Sequence, residues 1–243
     1  MFTLHNGDCL EYMKSLQPAS DLCIVTDPPY NTSVYFGDKQ GWNEYRAWLK
    51  DVLAEFERIT NNIFVFHSPK VLPQIADLFD GYDSFAAVRN FAVMGYGKIP
   101  NAWDIAFYKC DSFSGSGRNW ALSNTAGMLK DRVDHPTQKT EGLMNYVISL
   151  YSCPIVFDPF MGSGTTGVSS LKLGRQFIGC ELEPKYFQMA SKRIKQAALS
   201  PSFFTPSNNR LHPDVGDSPA QQALFTPEAD TAEGKSPKPA PRR

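Results

Sequence analysis

Two short stretches of this 243-residue chain carry residue types suited to chemistry. The first is Asp27-Pro28-Pro29-Tyr30. Consecutive prolines stiffen the backbone and withhold two N–H donors, so the carbonyls there stay available as acceptors. A carboxylate, a pre-set carbonyl and an aromatic ring then project together, directly after the apolar run Leu22-Cys23-Ile24-Val25. A turn that merely contains two prolines is the plainer reading. The second stretch is Gly162-Ser163-Gly164-Thr165-Thr166-Gly167, a G-x-G-x-x-G pattern between the apolar run Ile155–Phe157 and a helix, with Glu181 closing the next strand. Glycines in such a turn let a nucleoside cofactor approach the backbone, and the carboxylate accepts from ribose hydroxyls. A tight structural turn is the alternative here. A dinucleotide enzyme would place this turn at the start of its nucleotide domain, whereas only one more strand and helix follow.

These groups need elements to hold them. Phe2–Leu4, Leu22–Val25, Ile63–Phe66, Phe85–Val93, Ile105–Tyr108, Ile155–Phe157 and Phe177–Cys180 read as strands. Helices are predicted over Cys9–Leu16, Asn43–Ile59, around Ile75–Phe79, over 140–151 and 165–173, and from Pro184 to about Ala197. The clearest is Asn43–Ile59, where Tyr45, Trp48, Leu49, Val52, Leu53, Phe56 and Ile59 share one face. Alternating strands and helices predict an α/β fold with a mostly parallel sheet and helices on both faces. Residues 110–134 are polar and rich in glycine and serine, hence loop-like.

Composition narrows the class. With 42% hydrophobic residues the chain can bury a sizeable core. No apolar run reaches the roughly 18 residues of a membrane span, and the opening MFTLHNGD lacks the features of a secretory signal. A formal charge of −1 gives no overall pull toward nucleic acid. The cysteines Cys9, Cys23, Cys110, Cys153 and Cys180 are scattered without ligand spacing, which predicts buried thiols in a reducing cytoplasm and no metal site. From Leu199 onward the chain holds eight of its 18 prolines and few large apolar residues, the composition of a disordered tail.

Taken together, Asp27-Pro28-Pro29-Tyr30 early in the chain and Asp158-Pro159-Phe160-Met161-Gly162-Ser163-Gly164-Thr165-Thr166 late in it resemble the S-adenosylmethionine-dependent DNA amino-methyltransferases. The catalytic motif before the cofactor motif resembles the circularly permuted β class of that family. His135-Pro136-Thr137-Gln138-Lys139 resembles its H-P-T-x-K segment, Gly179–Tyr186 its G-x-E-x-x-x-x-Y strand end, and Asn6-Gly7-Asp8-Cys9 its opening. Thr140 stands where the family usually has proline.

The resemblance implies a Rossmann-like, permuted methyltransferase domain over 1–197 and a disordered Pro-rich tail over 198–243. It implies transfer of a methyl group from S-adenosylmethionine to the exocyclic N6 amino group of adenine in DNA. Asp27 and the Pro28 carbonyl would accept the amino hydrogens, Pro29 would stiffen the turn, and Tyr30 would stack on the flipped base. Asp158, Phe160, Gly162, Gly164 and Thr165 are expected around the cofactor's methionine portion, Glu181 at its ribose, and Asp8 at its adenine. Thr137 and Lys139 are expected near its carboxylate. Aspartate rather than serine in the tetrapeptide favours adenine N6 over cytosine N4. A nicotinamide-dependent oxidoreductase would leave Asp27–Tyr30 unexplained, and a non-catalytic DNA-binding protein is the remaining alternative.

Target recognition is expected from the short segment 110–134, through Arg118, Asn119, Trp120, Asn124, Lys130 and Arg132, with the loop Asn31–Gly41 as a second candidate. A short segment predicts a short or loosely read site. The tail carries Gln221-Gln222-Ala223-Leu224-Phe225, which resembles the pentapeptide by which bacterial replication proteins dock on the sliding clamp. A near-neutral enzyme would gain DNA affinity from such tethering or from a homodimer.

Overall fold

The computed structural model describes residues 1–32, 41–93, 101–111, 113, 119–123 and 138–199. The tail beyond Leu199, most of segment 110–134, most of loop 31–41 and Thr137 lie outside the described residues.

The strands are β1 (Phe2–Asn6), β2 (Leu22–Thr26), β3 (Ile63–His67), β4 (Asp83–Val93), β5 (Asn101–Lys109), β6 (Trp120–Ser123), β7 (Ile155–Asp158) and β8 (Gln176–Glu181). They form one sheet in the order β1-β8-β7-β2-β3-β5-β4-β6. Only β5 runs against its neighbours. Every position of β2 and of β3 is buried, as continuous apolar runs in a sheet covered on both faces require.

The helices are α1 (Cys9–Ser15), α2 (Trp42–Ile59), α3 (Leu72–Ile75), α4 (Glu141–Ser149), α5 (Thr165–Lys172) and α6 (Pro184–Leu199). Successive residues of β2 feed opposite cores. Leu22 and Ile24 pack with α1, α2 and α3, while Cys23 and Val25 pack with α4, α5 and α6. The buried residues of α2 include Tyr45, Leu49, Val52, Leu53, Phe56 and Ile59, all members of the stripe read from the sequence.

Two expectations change. The helix expected around Ile75–Phe79 is broken into a 3₁₀ turn at Pro69–Val71, the short α3 and another 3₁₀ turn at Ala76–Phe79. Within the stretch expected to be loop, β6 adds to the sheet edge with Trp120 opposite Ala86 and Ala121, buried, opposite Ala87. Its four residues hold too little apolar periodicity to stand out among glycines and serines. The last helix runs to Leu199, two residues past the expected boundary at 197. Among the described residues, no helix is long and apolar enough to cross a membrane. The five cysteines are thiols and not disulfides, and burial pushes the Cys9 and Cys180 thiols up to about 12.

Candidate active site

From β7 the chain moves outward through α5 to β8, and from β2 it moves the other way through α2 to β3. The neighbours β7 and β2 therefore flank the point where the strand order reverses, and such a point opens a crevice at the strands' carboxyl ends. The sequence puts Asp27 just past β2, Asp158 at the end of β7, Glu181 at the end of β8 and Asp8 two residues past β1. All four line one cavity of about 730 Å³, together with Pro28, Pro29, Tyr30, Lys139, Phe160, Gly162 and Thr165.

Asp158 is buried and ties β7 to β2. Its Oδ1 accepts from the Thr26 hydroxyl at 2.7 Å and from the Phe160 N–H at 3.1 Å. Burial pushes its carboxyl up to about 6, against the pull of the Thr166, Thr26 and Phe160 donors. The following turn has Gly162 and Gly164 at positive φ, +48° and +79°. Gly164 caps α5 in the left-handed region, where a side chain would strain the backbone. A Cβ on Gly167 would lie 2.6 Å from Phe177 Cε1 and 2.7 Å from Ile194 Cδ1, so the third glycine lets α5 close on β8 and α6. From α6, Arg193 donates to the Ser163 carbonyl and holds the turn from outside.

Glu181 accepts from the Gly162 N–H and the Glu183 N–H, both at 2.9 Å. Burial raises its pKa, and those two donors oppose the shift. Each carboxylate oxygen retains a further lone pair for a ligand hydroxyl. Asp8 caps α1 by accepting from the Glu11 N–H at 3.0 Å. Phe160 meets the Trp48 ring edge-on at 5.7 Å between centroids.

At the other end of the cavity, Pro28 forces Asp27 toward extended backbone, and the turn closes at Asn31, with φ of +57°. Lys139 Nζ lies 2.7 Å from Asp27 Oδ2 and 2.9 Å from the Tyr30 hydroxyl oxygen, which itself donates to Asp27 Oδ1. The sequence resemblance put Lys139 near a cofactor carboxylate; here its ammonium sits on the tetrapeptide. Thr137, expected near the same carboxylate, lies outside the described residues.

Five contributors escaped the sequence reading as site residues: Thr26, Tyr45, Trp48, His67 and Arg193. Tyr45 and Trp48 sit on the helical stripe and look like core. His67 ends β3 and is fully buried, a polar residue beside an apolar run that could have been flagged.

The cavity suits an elongated nucleoside bearing a charged amino acid. Its volume falls within the ordinary range of ligand sites. It offers carboxylate acceptors at Asp8 and Glu181, a glycine turn that lines the cavity at Gly162, and a separate acceptor cluster at Asp27.

Comparison with known proteins agrees. Residues 98–192 match the family model described as DNA methylase. The chain is 28% identical over 245 residues to the DNA adenine methyltransferase YhdJ of Escherichia coli (strain K12), covering 81% of this chain and 83% of that protein. It is 29% identical over 254 residues to the Type II methyltransferase M.HinfI of Haemophilus influenzae, covering 82% of this chain and 70% of that protein. The crystal structure of the M1.HpyAVI–SAM complex superposes with a TM-score of 0.63 at 29% identity, over 80% of this chain and 99% of that one. The glycine turn, the Glu181 carboxylate and the Asp27–Tyr30 cluster share one crevice, in a chain that is similar to DNA methylases over residues 98–192 and to DNA methyltransferases over about four-fifths of its length.

Proposed function

We propose that this protein methylates the N6 amino group of adenine in DNA, with the base rotated out of the duplex against Asp27-Pro28-Pro29-Tyr30. The observation that carries the reading is the Asp27 carboxylate, set at the switch point in the same cavity as Gly162 and Glu181. The name of the Escherichia coli relative, an adenine methyltransferase, supports the choice of base.

The cofactor supplies a methyl group on a sulfonium, an electrophile that needs only an aligned nucleophile. The adenine amino lone pair is delocalised into the ring. Asp27 and the Pro28 carbonyl accept its two hydrogens, localise the lone pair and aim it, which is catalysis by positioning and electrostatics. Tyr30 presents its ring to the base. Asp8 and Glu181 hold the nucleoside end of the cofactor, and Asp158, Phe160, Gly162, Gly164 and Thr165 hold and shape the methionine end. The order of the motifs along the chain fits the permuted β class, with the catalytic unit ending at Leu199.

The test is direct. DNA incubated with the protein and S-adenosylmethionine is digested to nucleosides and analysed by mass spectrometry. N6-methyladenine should form and should vanish with Asp27→Ala while cofactor binding persists. Formation of N4-methylcytosine alone, or of no methylated base, overturns the reading.

Two features would compensate for the weak pull of a near-neutral protein on DNA: pairing of two copies, and tethering to the sliding clamp through Gln221, Leu224 and Phe225. Leu224→Ala/Phe225→Ala should abolish clamp capture in a pull-down; unchanged capture excludes that route.

A further inference from the structure

The catalytic turn contains two prolines, so neither can anchor it to the sheet through an N–H. Its anchor comes instead from two buried residues on other elements. The Tyr45 hydroxyl oxygen, on α2, lies 2.8 Å from the Pro29 carbonyl oxygen and 2.9 Å from His67 Nε2, at the end of β3. The Ser68 N–H donates to His67 Nδ1 at 2.9 Å.

These contacts fix the proton positions. Nδ1 accepts, so in the neutral ring the proton sits on Nε2. The Tyr45 oxygen then accepts from His67 and gives its own hydrogen to Pro29. The ring does stay neutral: burial, reinforced by the Lys139 ammonium, holds His67 down at about 3. The His67 ring also packs against the Tyr30 ring, 4.9 Å between centroids. One histidine thus holds the turn at two points, through Tyr45 at Pro29 and directly at Tyr30.

The structure assigns Tyr45 and His67 as positioning residues of the catalytic turn, a hydrogen-bond relay from Ser68 to Pro29 that sets how Asp27 and the Pro28 carbonyl meet the target amino group. This assignment rests on the methyl-transfer reading above. An aromatic hydroxyl on a helix stripe commonly serves packing alone, and the relay differs from packing in one measurable way. Tyr45→Phe keeps the ring between Trp42 and Trp48 and removes only the bridging oxygen, so it should loosen the turn without disturbing the cofactor.

The experiment measures single-turnover methyl transfer, S-adenosylmethionine affinity by calorimetry, and thermal midpoint for the full chain. Tyr45→Phe should slow transfer about 10-fold to 100-fold, as small misplacements of reacting groups do, with cofactor affinity within about twofold of wild type. His67→Gln, whose amide can both accept and donate, should recover at least about fivefold of the rate lost in His67→Leu. The double variant Tyr45→Phe/His67→Gln should lose less than the product of the two single losses, because the hydrogen-bond path is shared and only the ring contact of His67 with Tyr30 is separate. A wild-type rate in Tyr45→Phe, or losses in the double variant that simply multiply, overturns the relay while the methyl-transfer reading stands. A wild-type protein that transfers no methyl group overturns both.

Discussion

Lys139 and Asp27 form an ion pair of 2.7 Å across 112 residues of chain, with both side chains mostly shielded from solvent. The lysine also sits 3.9 Å from Asp104 and 5.2 Å from the centre of the Phe66 ring. It thereby ties the segment before α4 to the Asp27–Tyr30 turn.

Removing that cation should release the turn. Lys139→Met is expected to lower the methyl-transfer rate at least about tenfold and to cost about 1–3 kcal/mol of stability, below the full cost of breaking a deeply buried pair because part of both groups meets water. Lys139→Arg should not restore the rate, since a planar guanidinium cannot occupy the lysine's point-like position between Asp27 and Tyr30. Steady-state kinetics with chemical denaturation of each variant checks both statements.

Asp158 makes stability depend on pH in an unusual direction. Its folded pKa of about 6 lies above its ordinary value of 3.8. The protonated form is therefore favoured by folding, and this contribution is fully present below about pH 4 and lost as pH rises through about 6. Asp158→Asn mimics the neutral form and keeps an oxygen for Thr26 and Phe160. It should stabilise the protein at pH 8 by up to about 3 kcal/mol and at pH 4 by almost nothing. Thermal melts of both proteins at the two pH values decide it; equal differences at both would refute the assignment.

Gly167 should tolerate no side chain. Alanine would gain about 1 kcal/mol of helix propensity, but its Cβ would press on Phe177 and Ile194 at under 3 Å. Overpacking of that kind costs about 1–3 kcal/mol. The net expectation is a loss of up to about 2 kcal/mol for Gly167→Ala, read from urea denaturation.

Glu181 should separate cofactor binding from the architecture of the turn. Glu181→Gln keeps an acceptor for the Gly162 or Glu183 N–H yet loses the charge, and its cofactor affinity should fall at least about tenfold, in line with charge-assisted hydrogen bonds of about 1.5–3 kcal/mol. Circular dichroism should stay unchanged. Isothermal titration with S-adenosylmethionine measures the loss.

Much of this architecture was legible because the physics is local. The apolar runs at Leu22–Val25 and Ile63–Phe66 read as buried strands since every position there is covered, and the α2 stripe read as a helix face because the period is 3.6. The positions of Asp27, Asp158 and Glu181 followed, since each ends or follows a recognisable strand. What the sequence could not display depends on distance in space. Tyr45 serves packing and hydrogen bonding at once, and its residue type and register are those of core. Arg193 reaches the glycine turn only because α6 folds back beside α5. The short strand β6 is held by its pairing with β4, not by its own pattern.

The position of β1 has a consequence for how the molecule comes into being. Among the described residues that strand pairs only with β8, Phe2 opposite Phe177 and Asn6 opposite Glu181. Phe177 follows its partner Phe2 by 175 residues, so β1 must wait for β8 while the strands between them are made. Asp8 and Glu181 cannot face each other until roughly the 180th residue has emerged, and contacts of such long sequence separation form late and slowly. A nascent chain cut short before β8 lacks Glu181 and with it part of the cavity's lining, however well its central strands have assembled.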